Sequence, residues 1–128
     1  LKKQDIPVYG NGSQIRDWLH VSDHVEALYE VISHGKIGET YNIGGNNEYT
    51  NIEVVNQICD LIDKKMVSGN RDNKSAKDLI HFVNDRPGHD LRYAIDATKI
   101  KKELGWRPKI LFSEGLNETV DWYINNYK

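Results

Sequence analysis

The sequence predicts a small α/β domain of short strands alternating with about four helices. Three observations carry this expectation. Apolar residues switch repeatedly between every-second spacing and the i, i+3, i+4, i+7 spacing of a helix. Turn and cap residues fall between those stretches. The 128 residues, 38% of them hydrophobic, suffice for one modest core but not for two ordinary domains.

Pro7-Val8-Tyr9 reads as a short strand stopped by the turn signal Gly10-Asn11-Gly12, and residues 16–21 resume an alternating pattern. A first helix follows, with Ser22 as N-cap, Asp23 in the first turn, the stripe Val25, Leu28, Tyr29 and Ile32 facing the core, and Gly35 as stop. Thr40–Ile43 reads as a buried strand running into Gly44-Gly45. Thr50-Asn51-Ile52-Glu53 has the capping-box spacing and opens a second helix with the face Val54, Val55, Ile58, Leu61 and Ile62. Residues 66–77 are polar and form an exposed loop. His81-Phe82-Val83 and Tyr93-Ala94-Ile95 are strand candidates on either side of a turn at residues 84–90. Asp96 caps a helix through Leu104, closed by Gly105 and Pro108. The last helix begins near Ser113 and presents Leu116, Val120, Tyr123, Ile124 and Tyr127.

Charge and cysteine content narrow the function. With 17 Lys and Arg against 19 Asp and Glu, the formal charge is −2, and the basic residues are scattered, so nucleic acid and anionic membrane are poor partners. Cys59 is the only cysteine, which excludes an intrachain disulfide and favours a reducing cytoplasm. No apolar run reaches the roughly 20 residues of a membrane span. The chain opens without Met, on residues that read like the middle of a helix, so a piece of a longer chain is expected.

Several chemistries lack their motif. Gly10 and Gly12 are followed by Ile15 where G-x-G-x-x-G needs its third glycine, and neither a P-loop, a G-x-S-x-G nor a Tyr-x-x-x-Lys is present. No cofactor cradle, catalytic residue or metal site is expected. His20 and His24 have helical spacing, but the zincin Glu and a third ligand are missing. Cys59 sits on an apolar helix face, where a small hydrophobe is the ordinary role.

Three loop constellations suit anion binding instead. Arg16, beside the glycine turn, offers a planar fork of donors to a phosphate; a salt bridge with Asp17 or Asp23 is the plainer alternative. Asn51 lies in the first turn of a helix, where free N–H groups and the dipole attract a phosphate; simple capping is the alternative. Arg86-Pro87-Gly88-His89 combines a guanidinium, a rigid Pro, a permissive Gly and an imidazole in one turn, with an Asp85–Arg86 ion pair as the alternative.

The strings at 7–19 (PVYGNGSQIRDWL), 38–48 (GETYNIGGNNE), 85–96 (DRPGHDLRYAID) and 103–108 (ELGWRP) resemble the dTDP-glucose 4,6-dehydratases, extended short-chain dehydrogenase/reductase enzymes, nearly from end to end. The resemblance covers their C-terminal, nucleotide-sugar-binding part. It implies a small α/β substrate-binding domain over residues 1–128, lacking the Rossmann domain. The family oxidises dTDP-glucose at C4 with NAD, eliminates water across C5 and C6 and returns the hydride to C6, giving dTDP-4-keto-6-deoxyglucose.

Carried over by position, the resemblance implies that Pro7 and Tyr9 line the nucleoside and that Arg16, Asn51 and Arg86 hold the diphosphate. The 85–89 string, Asp85, Arg86, Pro87, Gly88 and His89, completes the dTDP-sugar pocket. NAD and the catalytic residues belong to the N-terminal part, so this chain alone is expected to be inactive, and the parent is expected to be a cytoplasmic homodimer. Two positions depart from the family: the 66–77 loop has its own length, and His20 replaces a common Tyr or Phe. The alternatives are the same lobe of a UDP-sugar 4-epimerase or decarboxylase, and a non-catalytic nucleotide-sugar-binding module.

Overall fold

Alternation in Ile6-Pro7-Val8-Tyr9 produces a strand, β1 (Ile6–Tyr9), in which Val8 is buried and Pro7 and Tyr9 share the exposed face. The computed structural model describes residues 4–66 and 75–127. The opening residues 1–3 and the 67–74 part of the predicted loop lie outside the described residues. The remaining elements are β2 (Ile15–Asp17), α1 (Val21–His34), β3 (Glu48–Thr50), α2 (Asn51–Lys65), a 3-10 turn (Ala76–Leu79), β4 (Ile80–Val83), α3 (Thr98–Leu104) and α4 (Phe112–Asn126). Contacts divide the chain into two compact units, one of residues 1–14, 50–91 and 116–128, the other of residues 15–49 and 92–115.

In the first unit β1 and β4 run parallel, with Ile6 opposite Ile80 and Tyr9 opposite Val83. Parallel neighbours require a crossover, and α2 lies in that connection. Thr50 caps α2 in a complete capping box: its hydroxyl accepts from the Glu53 N–H while the Glu53 carboxylate accepts from the Thr50 N–H. Val54 and Cys59 are buried, and Val55, Ile58, Leu61 and Ile62 are half-buried, so the predicted face is the packed one. Near the other end of α2, Asp63 accepts from the Ser75 hydroxyl (2.6 Å) and the Ala76 N–H (2.9 Å), fixing the 3-10 turn that leads into β4. On α4, Val120 is buried, and Tyr123 and Tyr127 are exposed and stack on each other.

The second unit has a core of Ala27, Ala97, Ile100 and Trp106, against which Leu19, Val31, Tyr41, Ile43 and Leu104 pack. Its most constrained polar group is Asp23, 2% exposed, whose carboxylate accepts from the Lys109 and Ile110 N–H groups at 3.0–3.1 Å. Asp17 plays a similar part, accepting from the Gly45 and Asn47 N–H groups at 2.8 Å each. Gly105, with φ +71, ends α3 in the left-handed conformation predicted for it.

Several expectations are corrected here. His20, not Ser22, caps α1, its imidazole accepting from the Ser22 N–H. The packed face of α1 is Asp23, Ala27 and Val31; Val25, Leu28, Tyr29 and Ile32 are exposed, Ile32 by 84%. The face is offset because it seats small Ala27 and the Asp23 carboxylate on their partners, and amphipathicity alone does not encode those partners. Residues 40–43 form no ladder: they deliver Tyr41 and Ile43 to the core as irregular chain, and β2 pairs with β3 instead. β2 also ends at Asp17, four residues short of the predicted stretch, because the Asp17 side chain turns to the 45–47 backbone. The 93–95 segment forms no strand; the bridge of Ile15 with Arg92 lies just before it.

Candidate anion-binding site

Because β1 and β4 are parallel, their carboxyl ends lie at one edge, and the 10–14 and 84–90 loops both leave from it. Ligand sites of α/β proteins form at such edges. The Gly10 N–H extends the ladder by donating to Val83 O (2.9 Å). Gly10 and Gly12 both have positive φ, +58 and +74, and both are crowded. A Cβ on Gly10 would stand 2.9 Å from Asp85 Oδ2, and one on Gly12 would stand 2.8 Å from Ile52 Cβ.

The 85–89 turn is built around Asp85. His89 Nδ1 lies 2.6 Å from Asp85 Oδ1, Gln14 Nε2 donates to Oδ2 at 2.7 Å, and the Arg86 N–H donates to Oδ1 at 2.9 Å. The hydrogen bond from His89, reinforced by those from Arg86 and Gln14, holds the Asp85 carboxyl below the usual aspartate range. Pro87 and Gly88 occupy the middle of a turn closed by the His89 N–H on Arg86 O (3.3 Å). Gly88 has φ +70 with open space around its Cα, so glycine is needed there for backbone conformation and not for room.

The consequence falls on Arg86. The ion pair between Asp85 and Arg86 is not formed; Asp85 is spent on His89 and Gln14, and the exposed Arg86 guanidinium has no partner among the described residues. The His89 side chain, 8% exposed, is an anchor of the turn more than a group offered to solvent.

Asn51 is corrected in part. It opens α2 as expected, but the N-terminal amides are not free. The Asn51 N–H donates to Gln14 O (2.9 Å), the Ile52 N–H to Gly12 O (3.0 Å) and the Glu53 N–H to the Thr50 hydroxyl (3.2 Å). What Asn51 can offer a ligand is its half-buried carboxamide, which has no partner among the described residues. Pro7 and Tyr9 are exposed on one face of β1.

Arg16 belongs to the second unit. Its guanidinium carbon lies 4.7 Å from the centre of the Tyr93 ring, and Nη1 donates to Ile15 O at 2.6 Å. Asp17 and Asp23, the acids nearest it in sequence, accept from backbone amides as described above. Sequence reasoning missed both Gln14 and Tyr93. Tyr93 was visible only as part of a strand, and Gln14 only as a polar residue between a turn and a strand.

Cys59 is fully buried, and burial, with Asp63 nearby, pushes its thiol pKa up. Iodoacetamide at neutral pH is expected to leave Cys59 unmodified in the folded chain and to modify it in concentrated urea; equal labelling in both would show that the thiol is accessible.

Residues 1–119 match the family model described as GDP-mannose 4,6 dehydratase. A dTDP-glucose 4,6-dehydratase of Escherichia coli is 56% identical over 121 residues, 94% of this chain and 33% of the relative. The enzyme of the same name from Neisseria gonorrhoeae is 54% identical over 126 residues, 98% of the chain and 36% of the relative. Among solved structures, the dTDP-glucose 4,6-dehydratase of Bacillus anthracis, in complex with NAD, is 49% identical with a TM-score of 0.81, covering 96% of this chain and 35% of that one. The UDP-glucose 4-epimerase of Thermotoga maritima, with UDP-glucose, is 26% identical with a TM-score of 0.75, covering 99% and 37%. The chain spans about a third of the length of the curated relatives it matches, in their C-terminal part.

Proposed function

The chain belongs to the GDP-mannose 4,6 dehydratase family, and from that premise we propose that it supplies the nucleotide-sugar-binding part of a dTDP-glucose 4,6-dehydratase, converting dTDP-glucose to dTDP-4-keto-6-deoxyglucose and water. The observation that carries the proposal is the 85–89 turn. A carboxylate anchored by His89 and Gln14 leaves the neighbouring guanidinium uncompensated at the carboxyl edge of a parallel strand pair. Relatives named for dTDP-glucose share 54–56% of residues with the chain, against 26% for the UDP-glucose epimerase, which favours the thymidine nucleotide.

In this reading Arg86 meets the diphosphate with its fork of donors, and the Asn51 carboxamide adds a neutral contact. Asp85, Pro87, Gly88 and His89 shape and hold the turn, and Pro7 and Tyr9 give the nucleoside an apolar strand face. Arg16, in the second unit, is a phosphate contact in its own right, its guanidinium steadied by Tyr93.

The residues of this chain do not fit NAD. The space a pyrophosphate would need at Gly10 and Gly12 is filled by Asp85, Gln14, Ile52 and Val8, and the glycine turn leads into β2 instead of a helix. NAD is therefore assigned to residues outside this chain, as are the proton transfers and the hydride step. The parent enzyme is proposed to be a cytoplasmic homodimer. Separately, no helix among the described residues is long and apolar enough to cross a membrane.

Thermal denaturation with dTDP, UDP and NAD in parallel tests the proposal. A ligand at about 100 times its Kd adds about 2.7 kcal/mol of stability. Stabilisation by dTDP well above that by UDP, with none by NAD, is expected. Stronger stabilisation by UDP would transfer the chain to the epimerase reading, and stabilisation by NAD would refute the division of labour.

A further inference from the structure

Gln14 is a buried polar residue, 4% exposed, that no step above assigns to the ligand. Its groups are engaged unevenly. Nε2 donates to Asp85 Oδ2 (2.7 Å), and the backbone carbonyl accepts from the Asn51 N–H (2.9 Å). Oε1 is buried with no partner among the described residues. A carboxamide with one half buried and unpaired destabilises a fold, and an apolar side chain of the same length would fill the space without that cost. Packing alone therefore does not explain a glutamine here.

What the glutamine does is join three pieces of the site. It follows the glycine turn after β1, its carbonyl holds the first residue of α2, and its amide holds the acid on which the 85–89 turn is built. The Asp85 oxygen that Gln14 holds also lies against Gly10, where a Cβ would stand 2.9 Å from it. We propose that Gln14 is a positioning residue for the phosphate-binding turn: by fixing Asp85 from inside the fold, it keeps that carboxylate off Arg86 and leaves the guanidinium presented to the nucleotide. Gln14 does not touch the nucleotide; it acts through Asp85. The role rests on the nucleotide-binding reading above, but the anchoring itself can be measured without ligand.

The test is Gln14→Met, which keeps the length of the side chain and removes both the donor and the unpaired acceptor, followed by hydrogen exchange, thermal denaturation and dTDP titration on the 128-residue chain. The expected melting temperature is close to that of the wild type, because removal of the buried orphan oxygen offsets loss of the hydrogen bond to the part-exposed Asp85 carboxylate. Exchange of the Arg86 and His89 amides is expected to quicken roughly fivefold or more, while the Gly10 amide, bonded to Val83 O, stays protected. The Kd for dTDP is expected to rise about tenfold. The double variant with Arg86→Ala is expected to lose less affinity than the product of the single losses, because both act through one turn.

A marked fall in melting temperature would make Gln14 a structural residue and overturn the proposal. So would unchanged exchange of the turn, unchanged affinity, or fully additive losses. If the wild-type chain bound no dTDP, the nucleotide reading would fail while the exchange experiment still decided whether Gln14 anchors Asp85.

Discussion

Replacing Asp23 by Ala is expected to cost the chain about 3–5 kcal/mol of stability, because two backbone N–H groups lose a charged acceptor in a buried place. A hydrogen bond to a charged group contributes about 1.5–3 kcal/mol, and a buried donor left without a partner bears its full desolvation cost. Asp23 is 2% exposed and receives the Lys109 and Ile110 N–H groups, so its carboxylate is their acceptor in place of bulk water. A loss of that size is a large share of the about 5–15 kcal/mol that holds a domain together. Asp23→Asn keeps one acceptor oxygen and is expected to lose roughly half as much. Urea denaturation of the two variants checks the expectation. A midpoint unchanged in Asp23→Ala would mean that the 109–110 amides find another acceptor.

Arg86→Ala is expected to leave the fold unchanged and to weaken dTDP binding by about 1.5–3 kcal/mol, roughly 10- to 150-fold in Kd, the range for a lost charge-assisted contact. The guanidinium is exposed and has no partner among the described residues, so its removal leaves nothing in the protein unsatisfied. Arg86→Lys keeps the charge but not the planar fork, and its affinity is expected to fall between the two. Isothermal titration measures both. An Arg86→Ala chain that bound dTDP as well as the wild type would remove the turn from the site.

Local devices were legible where the chemistry is local. The Thr50–Glu53 capping box, the Gly105 stop and the Pro87-Gly88 turn need only neighbours within four residues, and each forms as its residue types require. The strand at 7–9, one residue longer in the structure, and the helix after Thr50 follow from periodicity for the same reason. Asp85–His89 spacing was visible as a turn, but not the choice of His89 over Arg86 as partner for Asp85. That choice depends on Gln14, 71 positions away in sequence, which holds the carboxylate from the other side.

The misreadings share one cause. The Val25–Ile32 stripe is amphipathic by spacing, yet the side of α1 that packs is the one whose Asp23 meets the 109–110 amides, a partner more than 80 residues downstream. Thr40–Ile43 has the composition of a strand, but a strand needs a ladder partner, and β2 takes β3. The start of α2 has the residue pattern of a phosphate site, but Gln14 O and Gly12 O occupy its amides. In each case a distant backbone group decided the outcome, and one-dimensional pattern carries no information about it.

In the proposed function, the loops at the carboxyl edge of β1 and β4 bind a thymidine diphosphate. Amide chemical-shift mapping of the isotope-labelled chain during titration with dTDP measures this most directly. Saturable shifts are expected at Asp85, Arg86, Gly88, His89 and Asn51, with the midpoint moved to roughly 10- to 150-fold higher dTDP concentration by Arg86→Ala. Shifts confined to other residues, or no saturable shift at the 85–89 turn, would contradict it.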